Sequence, residues 1–447
     1  MPIDKIDNGE EKNLIILIFS IGTTDYKEQD YKYNSRIIKA KFPAEAMLLD
    51  KKYDGKILLA PLSIINVSNF STLQTSLKSL EEEHRKNSKN LSNICEGLKV
   101  SLSPNEIETK IENIEISFRS EPQEFYVYSF FNLYLFVEEL INKNLDKSSI
   151  EMYCDISTGM NHLIYSMTQA VKDVASLICI TYQKSVTITI ITSDPVTSQK
   201  KDIYEIRPLE KIEFSKKMGF TTIISSLLFQ ISQNYQTPYY NEIGKILSII
   251  PDSNKWNKIL HRFSGALKDA LIFPPIYFHD ELLNVYNKII KNIQYNINNS
   301  KIKILPISKD AYTIGLDYDS YKTHKKSTSI VFILTKILTS SLFDSQEKEI
   351  YSKGISVNKA EAVIKNLVGE NFGNLTLANE LGKIKNGKTD LKQLTSFKDP
   401  DTRNIYAHGG LEANITSLEN NKDGEKILRY LISIDELANH LLSLKIE

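Results

Sequence analysis

The chain has no surplus of charge of either sign: 55 Lys+Arg are balanced by 55 Asp+Glu. Such a protein exerts no general pull on nucleic acid, so any site for RNA or DNA has to be a local pocket. Cysteine is scarce. Cys95, Cys154 and Cys179 are scattered, with no CxxC pair and no Cys/His ligand set, which argues against a disulfide framework and against zinc. The apolar run Leu14–Ile21 is too short to span a bilayer, and the opening MPIDKIDNGEEKN is acidic and polar, unlike a signal peptide. A cytoplasmic protein without a membrane partner is expected. There is no GxGxxG and no GxxxxGK[ST], so dinucleotide binding and ATP hydrolysis lack their usual signatures. Internal repeats and low-complexity tracts are also missing.

What is present is an ordinary globular composition, 41% apolar and 25% charged, in a chain of 447 residues. That length calls for two or three domains. In the first two hundred residues apolar runs alternate with helical patterns. Strands are expected at Leu14–Ile21, Lys56–Ala60, Ile111–Phe118 and Ile150–Asp155, with a closing pair at Ser176–Tyr182 and Ser185–Thr192. Helices are expected at 34–49, Ser68–Arg85, Phe125–Asn142 and Asn161–Val174. This alternation predicts a Rossmann-like, doubly wound α/β domain over 1–196. A connector over 197–215 follows, then a helical second domain over 216–447. Helices are expected in it at Lys216–Gln233, Ser253–Ala270, Pro275–Ile297, Ser329–Phe343, Asn358–Leu367, Leu375–Lys385, Thr389–Ser396 and Glu425–Lys445, with a small β insertion near 301–322. The aromatic stripe Phe273–Phe278 reads as core, and His261 and His279 as structural.

Doubly wound sheets bind ligands beyond the carboxyl ends of their strands. Two loops stand out there. The first, Ser20-Ile21-Gly22-Thr23-Thr24-Asp25-Tyr26, is small and hydroxyl-rich and is followed by Tyr31 and Tyr33. The second, Asp155-Ile156-Ser157-Thr158-Gly159-Met160-Asn161-His162, runs from a strand end into a helix start. Hydroxyls and backbone N–H groups at a helix start suit phosphate, and tyrosines can stack on bases. Ser63 is a weaker third contributor.

The remaining chemistry lies in Asp399-Pro400-Asp401-Thr402-Arg403-Asn404-Ile405-Tyr406-Ala407-His408-Gly409-Gly410. Asp399 is placed as N-cap, Pro400 at the first helical position, and the two glycines as the stop. On a regular helix Arg403 and His408 stand about 140° apart around the axis and about 7.5 Å apart along it. One chain would not join them on one face, whereas two copies about a two-fold axis would gather both pairs in one cleft. A guanidinium holds phosphate and an imidazole moves protons near neutrality, the two tools for cutting RNA without a metal.

Together the hydroxyl-rich first loop, the D-I-S-T-G-M-N-H strand end and the C-terminal R-N-x-x-x-H element resemble the CRISPR-associated CARF–HEPN accessory ribonucleases of type III systems. The resemblance covers nearly the full chain. It implies an N-terminal CARF sensor and a C-terminal HEPN ribonuclease domain. It also implies activation by a cyclic oligoadenylate (cyclic tetra-adenylate favoured), cleavage of single-stranded RNA without a required cofactor or metal, and a homodimer or higher oligomer. Carried over by position, Gly22, Thr23, Thr24, Asp25, Ser157, Thr158, Gly159, Asn161 and His162 would meet the activator, while Arg403 and His408 would be catalytic with Asn404 beside them. The chain departs from the pattern at Thr158, where many relatives carry a histidine. Two other readings are a ligand-responsive transcription regulator and a binding-only sensor with a structural Arg/His pair. The regulator would need a basic recognition helix, and the C-terminal helices show no clean Arg/Lys stripe.

Overall fold

The computed structural model describes residues 13–22, 26–61, 94–103, 107–111, 114–118, 124–158, 161–194, 202–214, 251–268, 271–298, 302–308, 311–316, 354–368 and 373–441, with 329, 332, 333, 336 and 337. The chain divides into two units. One comprises 1–179, 184–215 and 300–326; the other comprises 180–183, 216–299 and 327–447.

The first unit is built on an eight-stranded sheet. Its strands are β1 (Asn13–Phe19), β2 (Gln29–Tyr33), β3 (Arg36–Ala40), β4 (Gly55–Pro61), β5 (Lys99–Ser103), β8 (Ser149–Asp155), β9 (Ser185–Ser193) and β10 (Tyr204–Phe214), in the order β3-β2-β10-β9-β8-β1-β4-β5. Strands β9, β8, β1, β4 and β5 pair in parallel, and β10 closes on β9 antiparallel. The five parallel strands are the Rossmann-like core expected from the alternation of apolar runs. Four consecutive residues of β1, Ile16–Phe19, are fully buried, as a strand covered on both faces requires. From β1 the order runs outward to β4 and β5 on one side and to β8 and β9 on the other, so the direction of winding reverses between β1 and β8. Helices α1 (Pro43–Asp50), α2 (Glu124–Lys143) and α3 (Asn161–Tyr182) complete the α/β pattern.

Several sequence expectations are corrected here. Residues 34–49 are not one helix: Asn34 and Ser35, both at positive φ, turn β2 back into β3 as a two-residue hairpin before α1 begins. Ser176–Tyr182 is the end of α3 rather than a strand. The run SLICITY is largely buried, so it lacks the periodicity that separates helix from strand. The window Leu163–Tyr182 is long and apolar enough to cross a membrane, but 67% of it is buried inside the fold, as in a core helix. Residues 204–214, read as connector, form β10, whose apolar Tyr204, Ile206 and Phe214 are buried while the polar residues between them face out. The expected helix at Ser68–Arg85 lies outside the described residues.

The β insertion is present as β11 (Ile302–Ser308) and β12 (Ala311–Leu316), but not as part of the second domain. With β6 (Ile107–Ile111) and β7 (Ile114–Phe118) it makes a four-stranded sheet, β11-β12-β7-β6, in which β12 runs parallel to β7. A strand edge left unpaired will find a partner, and no local pattern announces one two hundred residues away.

The second unit contains α4 (Ser253–Lys268), α5 (Phe273–Tyr277), α6 (His279–Asn298), α7 (Val357–Val368), α8 (Thr376–Lys385), α9 (Thr402–Ala407) and α10 (Ile434–His440). It is not all-α. Strands β13 (Ile355–Ser356), β14 (Thr416–Asn420) and β15 (Lys426–Tyr430) form a small antiparallel sheet. Glu425–Lys445, expected as one helix, is β15 followed by α10. The Asn421 side chain accepts from the Asp423 and Glu425 amides and sets the hairpin turn, and a Ser433/Glu436 capping box restarts the chain as helix. Thr389–Ser396 is irregular, and the expected helix at Lys216–Gln233 lies outside the described residues. The Phe273–Phe278 stripe is core, as read. Phe273, Tyr277 and Phe278 surround Tyr430 with ring centroids 5.1, 4.9 and 5.8 Å away. His279 is buried beside Asp280, in keeping with a structural role.

Replacing Ile302–Leu316 with a glycine–serine linker should lower the thermal transition of the first unit by about 5 °C or more, read by calorimetry. An unchanged transition would mean that the β12–β7 ladder contributes nothing to that unit.

Candidate functional site

Two places bring together the residues singled out by sequence, one in each unit. The first lies at the carboxyl ends of β1 and β8, where Phe19 stands opposite Asp155 in the parallel register. That register sets the two loops side by side. Thr158 Oγ donates to the Ser20 carbonyl at 2.7 Å. Tyr26 Oη donates to the Thr158 carbonyl at 2.9 Å and accepts from the Gly22 amide at 3.2 Å. Tyr26 in turn leans on Phe42, which stacks on Phe19. Asp155 is fully buried, and its Oδ1 accepts from the Ser157 amide at 3.0 Å and from the Ser157 hydroxyl. Two buried polar atoms here, Ser20 Oγ and Asp155 Oδ2, have no hydrogen-bond partner among the described residues, although the Ala44 amide at the start of α1 faces the Asp155 carboxyl.

Of the expected ligand contacts, Gly22, Ser157 and Thr158 meet here. Asn161 and His162 open α3 directly after the second loop. Thr23, Thr24, Asp25, Gly159 and Ser63 lie outside the described residues, as do the side chains of Asn161 and His162. Tyr31 and Tyr33 are not available for stacking. They alternate inward on β2, are buried in the sheet core, and burial raises both phenols, Tyr31 to about 12. Tyr26 is the residue that ties the two loops together.

The second place is α9. Its N-cap is Asp401, whose carboxylate accepts from the Arg403 amide at 2.8 Å; Asp399 and Pro400, expected to cap and open the helix, precede it. The sequence D-P-D offers two caps, and the helix takes the second, starting two residues later. Arg403 is exposed and Asn404 half-buried. His408 is the C-cap, and its Nδ1 lies 3.5 Å from Glu380 Oε1 of α8. The same Glu380 oxygen meets Lys383 Nζ at 2.7 Å. Gly409 (φ 62°) and Gly410 (φ 98°) then turn the chain. A Cβ on Gly409 would fall 2.8 Å from the Leu377 amide nitrogen, so the end of α9 abuts the first turn of α8. The Gly410 carbonyl accepts from Tyr430 Oη at 2.5 Å. Among the described residues no hydrogen bond or ion pair joins Arg403 to His408, in accord with their separation around the helix. Glu380 was not foreseen. A Glu three residues before a Lys on an amphipathic helix looks like a solvated surface pair.

The family model for the CARF domain of the CRISPR system endoribonuclease Csx1 matches residues 16–195. This part of the chain is a CARF domain. Among solved structures, Enterococcus italicus Csm6 bound to cyclic hexa-2'-fluoro-hexa-dAMP is similar at 14% identity over 84% of this chain and 86% of its own, with a TM-score of 0.22, too low to support an argument about fold or activity. The curated proteins contain no match.

In the CARF domain, burial pushes the Asp155 carboxyl up to about 6 from 3.8, partly offset by its Ser157 hydrogen bonds and by the Ala44 amide that faces it. A raised folded-state value means that the fold prefers the neutral acid. The penalty is absent below about pH 4, grows as pH rises through 6, and is constant above. The shift corresponds to about 3 kcal/mol at pH 7. Asp155→Asn keeps an acceptor for Ser157 without the charge. Its stability relative to the parent should therefore climb between pH 4 and 6 and then level off in urea titrations. A pH-independent difference would show that folding leaves the Asp155 carboxyl at its ordinary value.

Gly409→Ala has a different expected outcome. It combines a left-handed backbone with contact on the Leu377 backbone and should cost about 2 kcal/mol or more in denaturant unfolding. Stability within 0.5 kcal/mol of the parent would mean that α9 and α8 are not so closely apposed.

Proposed function

We propose that this chain is a cyclic-oligoadenylate-activated, metal-independent endoribonuclease acting on single-stranded RNA in type III CRISPR defence, with a CARF sensor and a HEPN-type catalytic unit working as a homodimer. The observation that carries the reading is the pairing, in one chain, of a CARF domain with a capped helix that carries an exposed Arg403 and sets a half-exposed His408 beside the Glu380 carboxylate.

The activator would lie across the β1/β8 crevice, where Gly22, Ser157 and Thr158 converge and two buried oxygens have unmet hydrogen-bonding capacity. Adenine rings and phosphates offer donors and acceptors for such atoms. At the catalytic unit, the RNA's own 2′-hydroxyl attacks the adjacent phosphorus and expels the 5′-oxygen. This leaves a cyclic phosphate on one product and a 5′-hydroxyl on the other. Glu380 occupies Nδ1 of His408, so Nε2 is the nitrogen that takes or returns the proton. Arg403, from the same chain or its partner, holds the charge that builds on the phosphoryl oxygens. Asn404 positions the strand beside them. The activator can switch this on only by binding one state of the dimer more tightly than another.

The purified protein, in EDTA, should cut single-stranded RNA when cyclic tetra-adenylate is added and be slow without it. Arg403→Ala and His408→Ala should each lose at least about 100-fold in kcat while remaining folded. Full activity in either variant removes that residue from the mechanism. Loss of cleavage in EDTA with rescue by a divalent ion removes the metal-independent chemistry.

A further inference from the structure

The second unit has an open cleft of about 720 Å³ along α8, the helix whose Glu380 lies 3.5 Å from His408, lined among others by Asn374, Asn379, Gly382, Lys383, Asn386 and Lys388. We propose that this cleft is the groove that holds the RNA strand and delivers its scissile phosphate to His408. The assignment rests on the ribonuclease reading and extends it to a named binding surface.

The geometry of α8 supports it. At about 100° per residue, Asn379, Gly382, Lys383 and Asn386 share an arc of about 100°. Leu377, Leu381 and Ile384 occupy another face and are buried. Glu380 falls at the seam, about 60° beyond Lys383. It touches Lys383 on the cleft side and His408 on the other. The imidazole is thus linked to the wall of the cleft through a single carboxylate.

The lining chemistry fits a nucleic-acid strand. It holds two lysines and three asparagines, and no carboxylate is among the lining residues. Lysines meet backbone phosphates, and asparagine amides offer a donor and an acceptor to base edges and ribose hydroxyls. Gly382 keeps the middle of the wall low: a Cβ there would meet nothing within 4 Å. In a chain with no net charge, a wall that gathers cationic and amide groups without acids is the local site that RNA requires.

The test is fluorescence anisotropy with a labelled single-stranded RNA of about ten nucleotides, on full-length His408→Ala protein with cyclic tetra-adenylate present. Adding Lys388→Glu or Asn379→Asp should weaken binding about tenfold, and Lys388→Gln should flatten the salt dependence by about 0.7 in log–log slope. Lys288→Glu, the same charge change on the exposed side of α6, should bind like the His408→Ala parent. With His408 restored, the cleft variants should raise KM with kcat within about threefold. Parental affinity in both Lys388→Glu and Asn379→Asp, or a fall in kcat at unchanged KM, overturns the groove. If the unmutated protein cuts no RNA with any activator, the ribonuclease reading fails, and the anisotropy series still decides whether the cleft binds RNA.

Discussion

The catalytic reading depends on a backbone contact. At Gly409 the end of α9 comes so close to Leu377 that no side chain fits between them, and this contact brings His408 within reach of Glu380. Tyr430 secures the turn from the other side by donating to the Gly410 carbonyl. Tyr430 is itself fixed by three aromatic rings from the 273–278 segment, and Tyr277 donates to its carbonyl at 3.1 Å. A one-and-a-half-turn helix has little stability of its own. Its position is imposed by the aromatic core behind it, so the imidazole is held by packing rather than by helix propensity.

The CARF domain relies on a comparable constraint. The seven-residue parallel register of β1 against β8 ends with Phe19 beside Asp155, and both loops leave the sheet at that point. Residues 136 positions apart thus become neighbours without any local signal. The domain carries a cost there: a buried carboxylate with one oxygen satisfied by Ser157 and the other, among the described residues, facing only the Ala44 amide. Unmet polarity of this kind is characteristic of binding sites. The acid is best tolerated neutral, or with a donor from a ligand.

Sequence patterns served well wherever one periodicity dominated. The buried run Leu14–Ile21, the strand end at Asp155 and the helix Ser253–Lys268 were legible from apolar spacing. The two hydroxyl-rich loops also stood out, because hydroxyl, glycine and cap residues are chemically distinctive, and the structure sets them side by side. Failures came where burial erased periodicity or where a partner lay far along the chain. Ser176–Tyr182 has the composition of a strand and continues a helix; β12 pairs with β7 across about two hundred positions; Tyr31 and Tyr33, plausible as base-stacking groups, point inward because β2 alternates. Glu380 was invisible for another reason. Its importance comes from the approach of α9, and in isolation it is an ordinary helix acid.

That shared acid gives the second unit a way to couple binding with chemistry. Glu380 Oε1 faces two cations at once, Lys383 at 2.7 Å and, when protonated, His408 at 3.5 Å. The pair with Lys383 is partly exposed and worth well under about 1 kcal/mol, so a phosphate in the groove can compete for the ammonium. Once Lys383 turns toward that phosphate, Glu380 is left to the imidazole alone. A carboxylate on Nδ1 orients the ring. On the proposed reading, a strand in the groove would also orient the histidine, and a neutral protein would need no broad positive field to achieve either step.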